Sequence, residues 1–139
     1  MKTEESRWVR AFLFGVLAEI ATIASIIITV LIYKQLIARG LTDVEYGKFG
    51  VRAGGIVGLS MGTIYVFLLA WPIVRSVSKH RMIHGAIVAL GAIALQLAGS
   101  LGGHGGLPMA YAYSVVLKLA AGVAAGWLAW RVPIRAAAA

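Results

Sequence analysis

This sequence has no cysteine and few acidic residues, and both shortages narrow the chemistry open to it. Without cysteine, disulfides, thiolate metal sites and cysteine nucleophiles are excluded. The 139 residues include 5 Asp and Glu against 13 Lys and Arg, which leaves too few acids for a paired-carboxylate or Ser-His-Asp site. We therefore expect no enzymatic activity, no metal site and no cofactor.

The histidines offer one alternative to that expectation. His80 and His84 are four residues apart, a spacing that can place two imidazoles on one helix face, as some metal and haem sites require. Lys79 and Arg81 flank the first histidine and no acid is near. This pattern favours an interfacial cluster facing lipid headgroups over a metal site.

Charged residues of either sign are scarce, at 13%, whereas 60% of the residues are apolar. Soluble domains carry about 25% charged and about 45–50% apolar residues. Four apolar segments, 11–33, 53–74, 83–101 and 109–130, meet the length of about 17–25 residues that a membrane-spanning helix needs. We predict an all-α integral membrane protein, a four-helix up-down bundle that forms a single transmembrane domain over 1–139. The first segment is too long for the core of a signal peptide and predicts a retained span.

The basic residues lie at the ends of the apolar segments and do not form one face, so the net charge of +8 does not favour nucleic-acid binding. Four spans place both termini and the 75–82 connection on one side. That side carries the larger basic set, Lys2, Arg7, Arg10, Arg75, Lys79, Arg81, Arg131 and Arg135; the other side carries Lys34, Arg39, Lys48 and Arg52. Because basic residues favour the cytoplasmic side, we predict a multi-pass protein of the cell inner membrane with both termini cytoplasmic.

Glycine is plentiful and is regularly spaced in the second segment. Gly50, Gly54, Gly58 and Gly62 recur every four residues, and the fourth segment continues the pattern with Gly122 and Gly126. Residues four apart share a helix face, and small residues let helix backbones approach each other in lipid. This glycine zipper predicts a groove filled by another helix of the same chain. The alternative is a homo-oligomer or a larger membrane complex that forms through span two.

Two charges lie within the apolar segments. Glu19 is roughly 13 Å from the cytoplasmic boundary and Lys118 is roughly 20 Å from it, at a helical rise of about 1.5 Å per residue. A lysine stem can bridge that difference in depth, so we predict a Glu19–Lys118 ion pair between neighbouring helices one and four, with Gln96 as a third member. The pair has either a structural role or, because intramembrane ionisable groups often mark pathways, a role as a proton or substrate site.

Two connections carry their own signals. The stretch 42–45 reads as a capping box that opens the second helix, and Pro72 predicts a kink or a stop near the end of that helix. The segment 102–108 is rich in glycine and predicts a turn that closes at Pro108.

The stretch LAEI around Glu19 resembles the first helix of the small multidrug resistance transporters. That resemblance implies a glutamate that binds protons and cationic drugs alternately, a role that would fall on Glu19. In general plan the chain also resembles small uncharacterised four-span bacterial membrane proteins, and this likeness supplies no activity. Since Lys118 offers Glu19 a cation from within the chain, we favour a non-enzymatic structural or accessory subunit or helper. The alternatives are a proton-coupled small-molecule transporter that uses Glu19 and, more weakly, a lipid-interacting protein that uses the basic rim.

Overall fold

Four long helices make up the part of the chain that the computed structural model describes, residues 4–100 and 109–132. They are α1 (Glu4–Ile32), which continues into one π-helical turn (Tyr33–Ile37), α2 (Asp43–Ser76), α3 (Arg81–Ser100) and α4 (Met109–Arg131). All four are long and apolar enough to cross a membrane. The predicted turn at 102–108 and the last residue of the 83–101 span lie outside the described residues.

The first two helices begin well before the apolar segments that predicted them. Hydropathy marks where a helix would enter hydrocarbon, whereas capping marks where the helix begins. The predicted capping box is confirmed: the Thr42 hydroxyl accepts from the Glu45 backbone N–H, and Glu45 Oε2 accepts from the Thr42 N–H at 2.8 Å. The backbone hydrogen bond from Thr42 is the main cause that lowers the pKa of the exposed Glu45 carboxyl.

Pro72 does not end α2, which continues through it to Ser76. The turn of residues 77–80 then reverses the chain into α3, and His80 adopts a positive φ of 56° there. This turn, not the proline, separates the second and third helices.

The connection between α1 and α2 is held by aromatic side chains. Tyr46 donates from its hydroxyl to the Ala38 carbonyl at 2.7 Å and accepts from the Leu41 N–H at 3.3 Å. The rings of Tyr33 and Phe49 stack with their centroids 3.6 Å apart. These contacts join the π-helical turn and the connection after it to the first turns of α2. They therefore hold α1 and α2 together as a helical hairpin.

The lateral order of the helices differs from a simple up-down bundle. α1 packs extensively against α2 and α3, and α4 packs against the same two helices. α1 and α4 therefore lie at opposite corners, while α2 and α3 form the shorter diagonal. The expectation that helices one and four are neighbours is wrong, because the depths of Glu19 and Lys118 carry no information about which helices lie side by side.

Burial divides the bundle into two halves. The closed half is the end that contains the 77–80 turn, and it holds nearly all of the buried core, in which Val66, Val74, Val88 and Ala125 are fully enclosed. The open half is the end that contains the α1–α2 hairpin; no residue of 23–32 or 94–100 is buried there, and in 43–61 only Tyr46 and Ala53 are. The boundary between the halves lies at Glu19 and Lys118.

Candidate functional site: an ion pair beneath a glycine-lined cavity

Glu19 and Lys118 meet across the diagonal of the bundle. The Lys118 ammonium donates to Glu19 Oε2 at 2.5 Å. Lys118 is 1% exposed and Glu19 is 5% exposed, so the pair is enclosed by protein. Each charge neutralises the other, which offsets the cost of placing either one alone in an apolar interior.

Gln96 completes the site from α3. Its Oε1 accepts from the Lys118 ammonium at 2.6 Å and from the Ser114 hydroxyl at 3.3 Å. The assignment of oxygen to this position follows from chemistry, since a lysine ammonium has donors only. The structure thus brings together the three residues that the sequence singled out, with Gln96 bonded to the cation and not to the acid.

Small and short side chains make room for the lysine stem. A methyl group at Gly62 would lie 2.9 Å from Lys118 Cε and 3.5 Å from the Thr22 side chain. Thr22 is itself 1% exposed and returns its hydroxyl to the Ala18 carbonyl of its own helix. Lys118 of α4 can therefore reach past α2 to Glu19 of α1, because position 62 carries no side chain.

A cavity of about 660 Å³ extends from this pair into the open half. All four helices line it, and its floor contains Glu19, Gln96, Ser114 and Lys118. Its walls are mostly glycine and aliphatic side chains, among them Ile26, Gly54, Gly58, Leu59 and Leu95. This volume is within the range of about 300–1,000 Å³ that is usual for small-molecule sites.

Contrary to expectation, none of the described helices fills the glycine groove of α2. A methyl group at Gly54 would meet nothing within 4 Å, and at Gly50 or Gly58 it would be in ordinary contact with Val30 or Ile26. Gly50, Gly54 and Gly58 instead line the cavity of the open half. Only Gly62, at the lower end of the groove, is closely packed.

The glycines of the closed half do bring backbones together. A methyl group at Gly85 would lie 2.8 Å from the Gly122 carbonyl carbon, and one at Gly122 would lie 2.9 Å from that of Gly85. Gly126 approaches Met82 Cα in the same way, and Gly15 approaches the Val88 carbonyl. The helices beneath the ion pair are therefore joined by close backbone contact.

The two histidines of the 80–84 segment do not converge as a metal pair. His84 is buried, stacks on Trp8 with ring centroids 4.1 Å apart, and hydrogen-bonds through Nδ1 to the His80 carbonyl at 3.1 Å. His80 is exposed. Among the described residues no group of three or more His, Asp or Glu could hold a metal ion.

Sequence reasoning missed two parts of the site. Ser114 is four residues before Lys118 and so shares its helix face, a signal that could have identified it. The cavity itself has no comparable signal, because its existence depends on the lateral spacing of the helices, which hydropathy along one chain does not report.

These features define a bundle of four membrane-compatible helices with a neutral polar cluster beneath a partly open cavity. No protein-family model, curated protein or solved structure matches this chain.

Proposed function

We propose that this chain is a non-enzymatic accessory protein of the cell inner membrane, a helper that binds a small membrane-soluble molecule in the cavity of its open half. The single observation that carries the proposal is the cavity, which is lined by glycine and ends on a buried, neutralised ion pair. A chain with only a structural role would gain by filling this space, since voids forfeit packing contacts. Contact through α2 with a second copy or a larger complex remains a prediction.

The proposed topology places both termini and the 77–80 turn in the cytoplasm and the α1–α2 hairpin outside. The distribution of basic residues supports it. Because the chain has no cysteine, Ser78→Cys and Lys48→Cys variants each carry a single thiol. A membrane-impermeant maleimide should label the Lys48→Cys variant in intact cells and the Ser78→Cys variant only after permeabilisation. The reverse pattern would contradict this orientation.

Binding in the cavity is tested by filling it. Gly54→Leu adds a side chain where a methyl group meets nothing within 4 Å, so the fold should tolerate it. Organic extracts of the purified wild type, analysed by mass spectrometry, should contain a co-purifying small molecule that Gly54→Leu lacks. Ser60→Leu is the matched control, because Ser60 is an exposed residue of the same helix that does not line the cavity. Identical extracts from all three proteins would contradict the proposal.

A proton-coupled transporter of small cations that uses Glu19 is the second candidate. The observation in its favour is that Glu19 lies at the floor of a cavity. It would also require the contacts at Gly15 and Gly85 to separate, because they close the bundle beneath Glu19. Proteoliposomes that hold equal amounts of folded protein under an imposed pH gradient should then accumulate a labelled quaternary ammonium ion, and folded Glu19→Gln should abolish the uptake. Equal uptake by wild type and Glu19→Gln would remove this candidate.

A further inference from the structure

The floor of the cavity holds hydrogen-bonding capacity that the chain does not use. Glu19 Oε2 and Gln96 Oε1 bind the lysine, but Glu19 Oε1 and Gln96 Nε2 have no hydrogen-bond partner among the described residues. Neither atom is sealed off, since every fully enclosed side-chain nitrogen or oxygen in the described part has a partner. Both residues line the cavity, so an acceptor and a donor are open to whatever occupies it.

The electrostatics of the floor favour a neutral occupant. Glu19 and Lys118 already form an ion pair at 2.5 Å, and the other polar members, Gln96 and Ser114, carry no charge. A cation or an anion bound here would leave an uncompensated charge in an enclosed apolar site, which is costly. A neutral group that both donates and accepts would satisfy both open atoms.

The walls of the cavity indicate what the remainder of the bound molecule must be. From Gly58 near the floor to Gly47 at the far end, the α2 lining spans eleven helical rises, roughly 16 Å at about 1.5 Å each. Along this length the α2 side offers glycine backbone, and Ile26 and Leu95 face it from α1 and α3. The space is long and mostly apolar, with its charged and amide groups at one end and Tyr111, seven residues before Lys118 on α4, nearer the other end.

We propose that this cavity binds a neutral single-chain amphiphile, a long-chain alcohol or primary amide, with its polar group on the floor. The hydroxyl or amide donates to Glu19 Oε1 and accepts from Gln96 Nε2. The alkyl chain lies along the Gly50–Gly58 face of α2. The inference rests on the proposed function and names the class of molecule that the site takes.

The test uses photolabelling of the full chain in phosphatidylcholine nanodiscs. A dodecanol that carries a diazirine on its chain should label peptides containing Ile26, Leu59 and Leu95. Unlabelled dodecanol and dodecanamide should compete about tenfold more effectively than dodecane, the ratio expected for two hydrogen bonds that each contribute about threefold. Dodecyltrimethylammonium and dodecanoate should compete no better than dodecane. Gly54→Leu should lose the labelling and Ser60→Leu should keep it.

The outcomes separate this inference from the proposed function. Labelling in the cavity that dodecane blocks as well as dodecanol would overturn the polar contact with the floor. Preferential competition by dodecyltrimethylammonium would overturn the neutral class and favour Glu19 as a cation site. Labelling that persists in Gly54→Leu would overturn the location. In each case a co-purifying molecule that Gly54→Leu lacks would still support the proposed function, because that measurement does not depend on the probe.

Discussion

Glycine has opposite effects on helix packing in the closed half and in the open half of this bundle. In the closed half, Gly15, Gly85 and Gly122 let helix backbones approach until a single methyl group would collide with a carbonyl of the facing helix. In the open half, Gly54 faces empty space and removes side chains from the wall of a cavity. A glycine stripe thus shows only that side chains are missing from one helix face. Whether that face forms a close helix–helix contact or lines a cavity depends on the position of the facing helix.

The Glu19–Lys118 ion pair lies at the boundary between the closed half and the open half. Beneath Glu19 and Lys118 the core is buried, and above them few residues are buried and the four helices line a cavity. The pair joins α1 to α4, two helices that have no extensive contact of their own. It fastens the bundle at the level where backbone contact ends, and it supplies the polar floor of the cavity.

Among the changes that add no bulky side chain, the largest effect should come from removing one charge of the pair. Glu19→Gln or Lys118→Met leaves its partner charged and enclosed, at a cost of about 2.5–3.5 kcal/mol for a charge at a helix centre. Each single variant should therefore lose much of its folded yield in membranes, while the double variant should recover most of it. Full yield in both single variants would show that the pair does not stabilise the fold.

A smaller but still substantial loss is expected from Gly15→Ala in the closed half. Its methyl group would lie 2.8 Å from the Val88 carbonyl carbon and 2.9 Å from the Ala92 nitrogen, and backbone atoms cannot yield without moving a helix. Overpacking of this kind costs about 1–3 kcal/mol. The thermal unfolding midpoint in nanodiscs should fall; a midpoint equal to that of the wild type would mean that α1 and α3 are not in backbone contact.

Gly62→Ala tests the boundary between the closed and open halves. Its effect on the thermal unfolding midpoint should be intermediate between the effects of glycine substitutions in the two halves. The atom that it meets, Lys118 Cε at 2.9 Å, belongs to a flexible side chain, but that chain is held at its end by Glu19 and Gln96. We expect a midpoint above that of Gly15→Ala and below that of the wild type. A loss as large as that of Gly15→Ala would place Gly62 within the rigid core.

The smallest effect is expected at Gly54. Gly54→Ala meets no atom within 4 Å, and alanine is favoured over glycine within a helix by about 0.5–1 kcal/mol. The unfolding midpoint should stay the same or rise slightly. A clear fall would show that another helix occupies the α2 groove, as in a homo-oligomer.

The sequence predicted the four helices because an apolar segment of about 20 residues is long enough to cross a membrane only as a helix and is unusual in a soluble domain. It also predicted that Glu19 and Lys118 come together, since their depths match within the reach of a lysine stem. It did not predict that α1 and α4 are diagonal, because hydropathy and depth are properties along the helix axis and say nothing about lateral order. The cavity was missed for a related reason: Gly54 and Gly85 are both glycines in apolar helices, and only Gly85 has another helix within contact distance.

The difference between the halves is tested most directly by placing leucine at Gly54 and at Gly85 in otherwise identical chains. We predict that Gly54→Leu accumulates in membranes and unfolds at or above the wild-type temperature, since its side chain enters the cavity. Gly85→Leu should fail to accumulate, since its side chain would have to displace the Gly122 backbone. Equal loss in the two variants would contradict a closed half and an open half in one bundle.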